Sequence, residues 1–156
     1  MIDVVLFQPE IPANTGAAIR LCANAGARLH LVRPLGFRLH DRALARAGLD
    51  YRDLVDVTVH ADWDGCRAHF GPRRLLALTT RGRRTLASQP FAIDDVLVFG
   101  PESRGLPEAV LASFPPEHRL RIPMVAGSRS LNLASAVAVA LYEGWRQCGF
   151  AGAAWP

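Results

Sequence analysis

Short apolar runs recur along this chain, and each stops at a turn residue or gives way to a helical stretch. The runs are IDVVLF (2–7), RLHLV (28–32), DVTVH (56–60), RLLALTT (74–80), DVLVFG (95–100) and HRLRIP (118–123). Runs this short and this apolar suit buried strands. Between them lie PEIPANTGAAIRLCANAG (9–26), DRALARAGL (41–49), ADWDGCRAHF (61–70), PEAVLASF (107–114) and SLNLASAVAVALYEGWRQ (130–147), which read as helices. Pro12 suits a helix start with Asn14 or Thr15 as its cap, Gly26 suits the stop, and Pro107 suits a first helical position. Strands alternating with helices predict an α/β domain with a mostly parallel sheet flanked by helices. A length of 156 residues fits one domain, 1–156, with a core of its own.

Several function classes are excluded at this stage. No stretch approaches ~18 apolar residues, so no membrane span is expected, and no basic segment precedes an apolar run as in a signal peptide. Cys22, Cys66 and Cys148 are isolated and the five His are scattered. Without CxxC or HExxH spacing, neither a disulfide framework nor a metal site is expected, and a reducing cytoplasm is the default. The net charge is +4, and all 18 basic residues are Arg. A planar guanidinium bonds two phosphate oxygens at once, so this balance favours a nucleic-acid partner.

The stretch LVFGPESRGLP (97–107) is a strand running into a loop with two Gly and two Pro. Gly100 and Gly105 have the outer spacing of a P-loop, but Leu106-Pro107 follow where Lys-Ser or Lys-Thr is required. Ser103 lacks the preceding Gly of a nucleophile elbow. No GxGxxG follows the first strand. What remains is a strand end where Gly admits close approach of a ligand and Pro fixes the turn. Thr79-Thr80 and Ile122-Pro123-Met124 are strand ends of the same kind, and ligands of open α/β sheets sit beyond such ends. Asn14 and Arg20 stand nearly two helical turns apart, which suggests one shared site. Ser128, Ser130 and Asn132 lie at a helix start, where capping is their ordinary role. The following helix is apolar nearly all round, with Ala134, Val137, Ala138, Leu141, Tyr142 and Trp145 as one stripe. Such a helix is central to a core or buried in an interface. Trp155 stands among small residues in a tail that reads as frayed.

NTGAAIR (14–20), LVFGPESRGLP and RIPMVAGSRSLNLASAVAVALYE (121–143), in this order, resemble the three motifs of the SPOUT class of RNA 2′-O-ribose methyltransferases. FQPEIPANTGAAIRLCANAGARLHLVRPLGF, RAGLDY and SRSLNL are similar to the small members that methylate the wobble nucleotide of tRNA, cytidine or uridine 34. The resemblance covers practically the whole chain and implies S-adenosylmethionine as cofactor, no metal, and a C-terminal deep trefoil knot. By position it implies that Leu78, Gly100, Ile122 and Ser130 contact the cofactor. It places Asn14, Arg20, Glu102 and Asn132 around the reacting ribose, with Glu102 orienting Arg20. The Arg-rich TTRGRRT loop, with Arg81, Arg83 and Arg84, is expected to touch RNA phosphate. A homodimer gripping the anticodon arm of tRNA is implied as well, with Tyr142 and Trp145 near its interface. A ribosomal RNA methyltransferase of the same class and a knotted RNA-binding protein without chemistry are the alternatives left open.

Overall fold

A strand covered on both faces has no side to spare for polar residues, and Val4–Phe7 and Val96–Phe99 carry none. The computed structural model describes residues 1–38 and 56–154. Within them lie strands β1 (Asp3–Phe7), β2 (Arg28–Val32), β3 (Val57–His60), β4 (Leu75–Leu78), β5 (Arg84–Thr85), β6 (Val96–Phe99) and β7 (Arg119–Arg121). They form one sheet in the order β3-β2-β1-β6-β4-β7-β5, and all the pairings are parallel. The helices are α1 (Pro12–Ala25), α2 (Trp63–Phe70), α3 (Glu108–Leu111) and α4 (Leu133–Gln147).

The strand period of two sorts the core into two layers. Val4, Leu6, Leu29, Leu31, Leu76, Leu97, Phe99 and Leu120 face α1 and α4, where they meet Ala18, Ile19, Cys22, Val137, Ala140 and Leu141. Val5, Phe7, Val32, Ala77, Val96 and Val98 face the other way, onto Cys66 and Phe70 of α2 and Val110 and Leu111 of α3. This is the expected α/β sandwich with a parallel sheet. No helix among the described residues is long and apolar enough to cross a membrane.

Several local expectations are corrected. The N-cap of α1 is Ile11, with no side-chain cap bond, so Asn14 and Thr15 lie inside the first turn. Gly26 does end α1, in the left-handed region at φ 63°. Pro107 is the N-cap of α3 rather than its first residue, and α3 has only four residues. On α4 the buried side is Leu133, Val137, Ala140, Leu141 and Gly144. Tyr142 therefore leaves the predicted core stripe and is exposed. Trp145 is half-buried, its indole N–H donating to the Ala151 carbonyl at 3.0 Å. The helix predicted over 41–49, the RAGLDY segment and Trp155 lie outside the described residues.

The edge of the sheet holds the least regular connection. β4 and β5 are joined by residues 79–83 alone, yet they do not pair with each other. β7 lies between them, with Leu78 and Arg84 both in register with Leu120. Residues 79–83 thus arch over β7. The Thr79 N–H donates to the Leu120 carbonyl at 2.9 Å. A Cβ on Gly82 would lie 2.5 Å from the Leu120 carbonyl carbon, so only Gly lets the arch sit this close.

Candidate active site

Parallel strands release their loops on one edge of the sheet, and here β4, β6 and β7 surround a cavity of about 550 Å³. That is within the ~300–1,000 Å³ usual for small-molecule sites. Its wall is Leu78 to Arg81 after β4, Gly100 to Leu106 after β6, Ile122 and Met124 after β7, Arg129 to Leu133 before α4, and Ile11, Asn14 and Ala136. The three strand ends singled out in the sequence therefore do converge. Leu78, Gly100, Ile122, Ser130, Asn14, Glu102 and Asn132 all line this cavity.

Arg20 does not line it. Six residues at ~100° per residue bring it about 120° around α1 from Asn14. Asn14 is buried under the loops, whereas Arg20 is exposed. Within one chain, Arg20 therefore lies outside the set of residues that line the cavity with Asn14.

The polar residues form one chain of hydrogen bonds. Asn132 Nδ2 donates to Asn14 Oδ1 at 2.9 Å, and Asn14 Nδ2 donates to Glu102 Oε1 at 3.1 Å. Asn132 also caps α4, its Oδ1 accepting from the Ser135 N–H at 3.2 Å. Its capping and site roles coexist. Glu102 accepts from the backbone N–H groups of Glu10 at 2.8 Å and Ile11 at 3.1 Å. The first N–H groups of a helix lack internal acceptors, and its N-terminus favours negative charge. The cap that α1 lacks locally is thus supplied by a carboxylate from the β6 loop. With these donors on its two oxygens, Glu102 is a strut for the α1 entrance.

Gly100 is needed for a different reason than expected. A Cβ there would lie 2.2 Å from the Leu106 nitrogen and 2.3 Å from the Gly105 carbonyl carbon. The space beside Gly100 belongs to the loop's own return, not to a ligand. Gly105 completes that return at φ 67°, with its N–H on the Pro101 carbonyl at 2.9 Å.

Two further residues, Ser103 lining the cavity and Glu10 outside it, tie its wall to the β1 loop. Glu10 accepts from both the N–H (2.9 Å) and the hydroxyl (2.8 Å) of Ser103. The signal was there to be found: Phe-Gln-Pro-Glu (7–10) and Phe-Gly-Pro-Glu (99–102) follow the same pattern. They end adjacent strands, β1 and β6, which pair with Leu6 opposite Phe99. At the rim, Arg104 donates to Gln8 Oε1 at 3.0 Å, and Arg81 pairs with Glu108 at 3.0 Å, both exposed.

A second polar cluster lies at the far side of β1, under α2. Asp3 binds Arg28, Arg73 and His30. His30 Nδ1 lies 3.0 Å from His60 Nε2, and His69 packs against both rings. Burial pushes the Asp3 carboxyl up, but hydrogen bonds from His30, Arg28 and Arg73 outweigh it and hold it well below the usual range. Burial and the neighbouring His30 and His69 lower the His60 pKa. Burial raises the Cys22 and Cys66 thiols to about 12, so neither is a nucleophile at neutral pH. No group with metal-binding geometry occurs among the described residues.

Known proteins resemble this chain in sequence and fold. Residues 1–142 match the SpoU rRNA Methylase family. The tRNA (cytidine(34)-2'-O)-methyltransferase of Methylovorus glucosotrophus is 57% identical over 98% of this chain and 99% of its own. The enzyme of the same name from Escherichia coli K12 is 50% identical over 98% of each chain. A solved structure described as giving structural insights into the 2-OH methylation of C/U34 on tRNA superposes with a TM-score of 0.91. It is 49% identical and covers 96% of this chain and 97% of that one. An AdoMet-bound rRNA methyltransferase from Sinorhizobium meliloti has a TM-score of 0.82 at 25% identity, covering 93% of this chain and 56% of that one. With its parallel sheet, its cavity at three strand ends and these matches along nearly its whole length, the chain belongs to the SpoU rRNA methylase family.

Proposed function

We propose that this protein transfers a methyl group from S-adenosylmethionine to the ribose 2′-hydroxyl of nucleotide 34, a cytidine or uridine, in tRNA. The observation that carries the reading is the 57% identity across 98% of the chain to an enzyme named for that reaction. The cavity suits the cofactor. Leu78, Leu106 and Ile122 offer apolar surface to a nucleoside, strand-end backbone offers hydrogen bonds, and Arg129 and Ser130 offer polar partners to its charged end. When bound, the cofactor supplies a methyl already activated by its sulfonium, so the reading calls on no metal.

The chain's own work is positioning and charge stabilisation. Leu78, Gly100, Ile122 and Ser130 shape the cofactor wall. Asn14 and Asn132, locked to each other, present a fixed polar edge to the ribose. Glu102 holds that edge by bracing the entrance of α1. The guanidinium of Arg20 carries donors and no acceptor, so it donates hydrogen bonds to phosphate or to a developing alkoxide rather than abstracting a proton. In this reading Arg20 acts from outside the single-chain cavity, and the working unit is a homodimer. Exposed Val139 and Tyr142, one turn apart on α4, supply an apolar face for a second copy. The arch of residues 79–83 over β7 supports a knotted C-terminal half. One domain carries the whole activity in the cytoplasm, where its substrate resides.

The test is methylation of total RNA from a strain lacking this protein, with labelled S-adenosylmethionine, separation of tRNA from ribosomal RNA and mapping of the modified nucleotide. Label on the ribose of nucleotide 34 is the expected result. Label confined to ribosomal RNA, or none at all, overturns the reading.

A further inference from the structure

The two Phe-X-Pro-Glu segments do more than end neighbouring strands: each sends its carboxylate to the backbone of the other. Glu102 accepts the N–H of Ile11, the residue after Glu10, and Glu10 accepts the N–H of Ser103, the residue after Glu102. Glu10 adds the Ser103 hydroxyl. Of the two acids, Glu102 lines the cavity and Glu10 does not, while Ser103 does. Glu10 itself sits on a fixed backbone. The Gly36 N–H donates to the Pro9 carbonyl at 2.9 Å, and a Cβ on Gly36 would lie 2.7 Å from Glu10 Cα.

We propose that Glu10 is a positioning residue for the cofactor, acting through Ser103 to hold the Gly100–Gly105 loop in its binding shape. This rests on the reading that the cavity takes S-adenosylmethionine. The loop has little else to fix its outer part. Its internal bond runs from the Gly105 N–H to the Pro101 carbonyl, and Glu102 reaches away from the loop to α1. Only the Glu10 bonds and the Arg104–Gln8 bond tie residues 103 and 104 to the β1 loop among the described residues. The hydroxyl and N–H of Ser103 also hold the Glu10 carboxyl below its usual pKa, as a carboxylate engaged by two donors must be. Without the latch the loop samples other shapes, and apparent affinity falls in proportion to the binding-competent fraction.

The experiment is calorimetric titration of S-adenosylmethionine, with methylation kinetics at saturating cofactor. Glu10→Ala loses two hydrogen bonds to a charged acceptor and is expected to weaken cofactor binding roughly tenfold, with kcat at saturating cofactor within about twofold of wild type. Glu10→Gln keeps an oxygen for the Ser103 N–H and turns an N–H toward the hydroxyl, which accepts as readily as it donates. It is expected to restore most of the affinity. Ser103→Ala removes one bond and carries the test if Glu10→Ala does not fold, with an expected loss of roughly threefold. Unchanged affinity in the Ala variants overturns the proposal, as does a Gln variant as weak as Ala, because the charge rather than the geometry is then what matters. A fall in kcat with affinity intact also overturns it. Failure of the wild type to bind the cofactor is a separate result, and sinks the functional reading instead.

Discussion

Asn14 has both ends of its amide engaged, one on Glu102 and one on Asn132, which fixes which atom is nitrogen and which is oxygen. Arg20, on the exposed side of the same helix, is where chemistry and architecture separate. Arg20→Ala is expected to reduce methyl transfer by roughly a hundredfold or more while leaving cofactor affinity within about twofold, read by turnover and titration on the same preparation. Equal losses in both would place Arg20 in the cofactor wall. The His cluster makes a prediction of a different kind. The folded state lowers the His60 pKa, so the unfolded chain binds more protons below its ordinary value of 6.5. Stability is complete above that pH and falls as the pH drops from there toward the depressed folded value. Asp3, Arg28, His30, His69 and Arg73 surround the group, and the contribution of the engaged Asp3 is lost only below its ordinary value of 3.8, outside this window. His60→Gln keeps a donor toward His30 and is expected to flatten the urea midpoint between pH 7.5 and 5.5. An unchanged slope would assign it elsewhere.

At the scale of elements, what was legible followed burial. β1, β2 and β6 stood out because neighbours on both faces demand apolar side chains, and α1 ended at the Gly that its left-handed stop requires. β5 was invisible because Arg84 and Thr85 are strand only by pairing with β7, a contact no local pattern encodes. The cap of α1 was misread for a related reason: its acceptor, Glu102, is 91 residues away from Ile11. Tertiary contacts of this reach also hid Glu10 and Ser103 from a reading that weighed each motif alone. The glycines test the arch and the loop directly. Gly82→Ala and Gly100→Ala press a Cβ into backbone that has no rotamer to yield, at 2.5 Å and 2.2 Å. Each is expected to cost about 1–3 kcal/mol, seen as a lower urea midpoint, with cofactor affinity falling too in the Gly100 variant. Gly100→Ala at full stability would show that the loop return is looser than drawn.

Over the whole molecule, the outer face of α4 has Val139 at 45% and Tyr142 at 38% exposure. A twofold interface uses the same patch on both copies. Sedimentation at micromolar concentration is expected to show a dimer, and Tyr142→Glu to give a folded monomer with little methylation of tRNA. A wild-type species at 17.0 kDa would end the dimer reading. The arch over β7 has a consequence for how the protein is made. Translation delivers β4 and β5 first; β4 can pair with β6, but β5 finds no neighbour until β7 emerges, beginning 34 residues after Thr85. At ~5–20 residues per second the ribosome leaves that slot open for on the order of seconds. Ile122, Ser130 and Asn132 come later still. A nascent chain, or a product of premature termination before them, has a sheet but no cavity, so only a chain translated through its last motif can act on RNA.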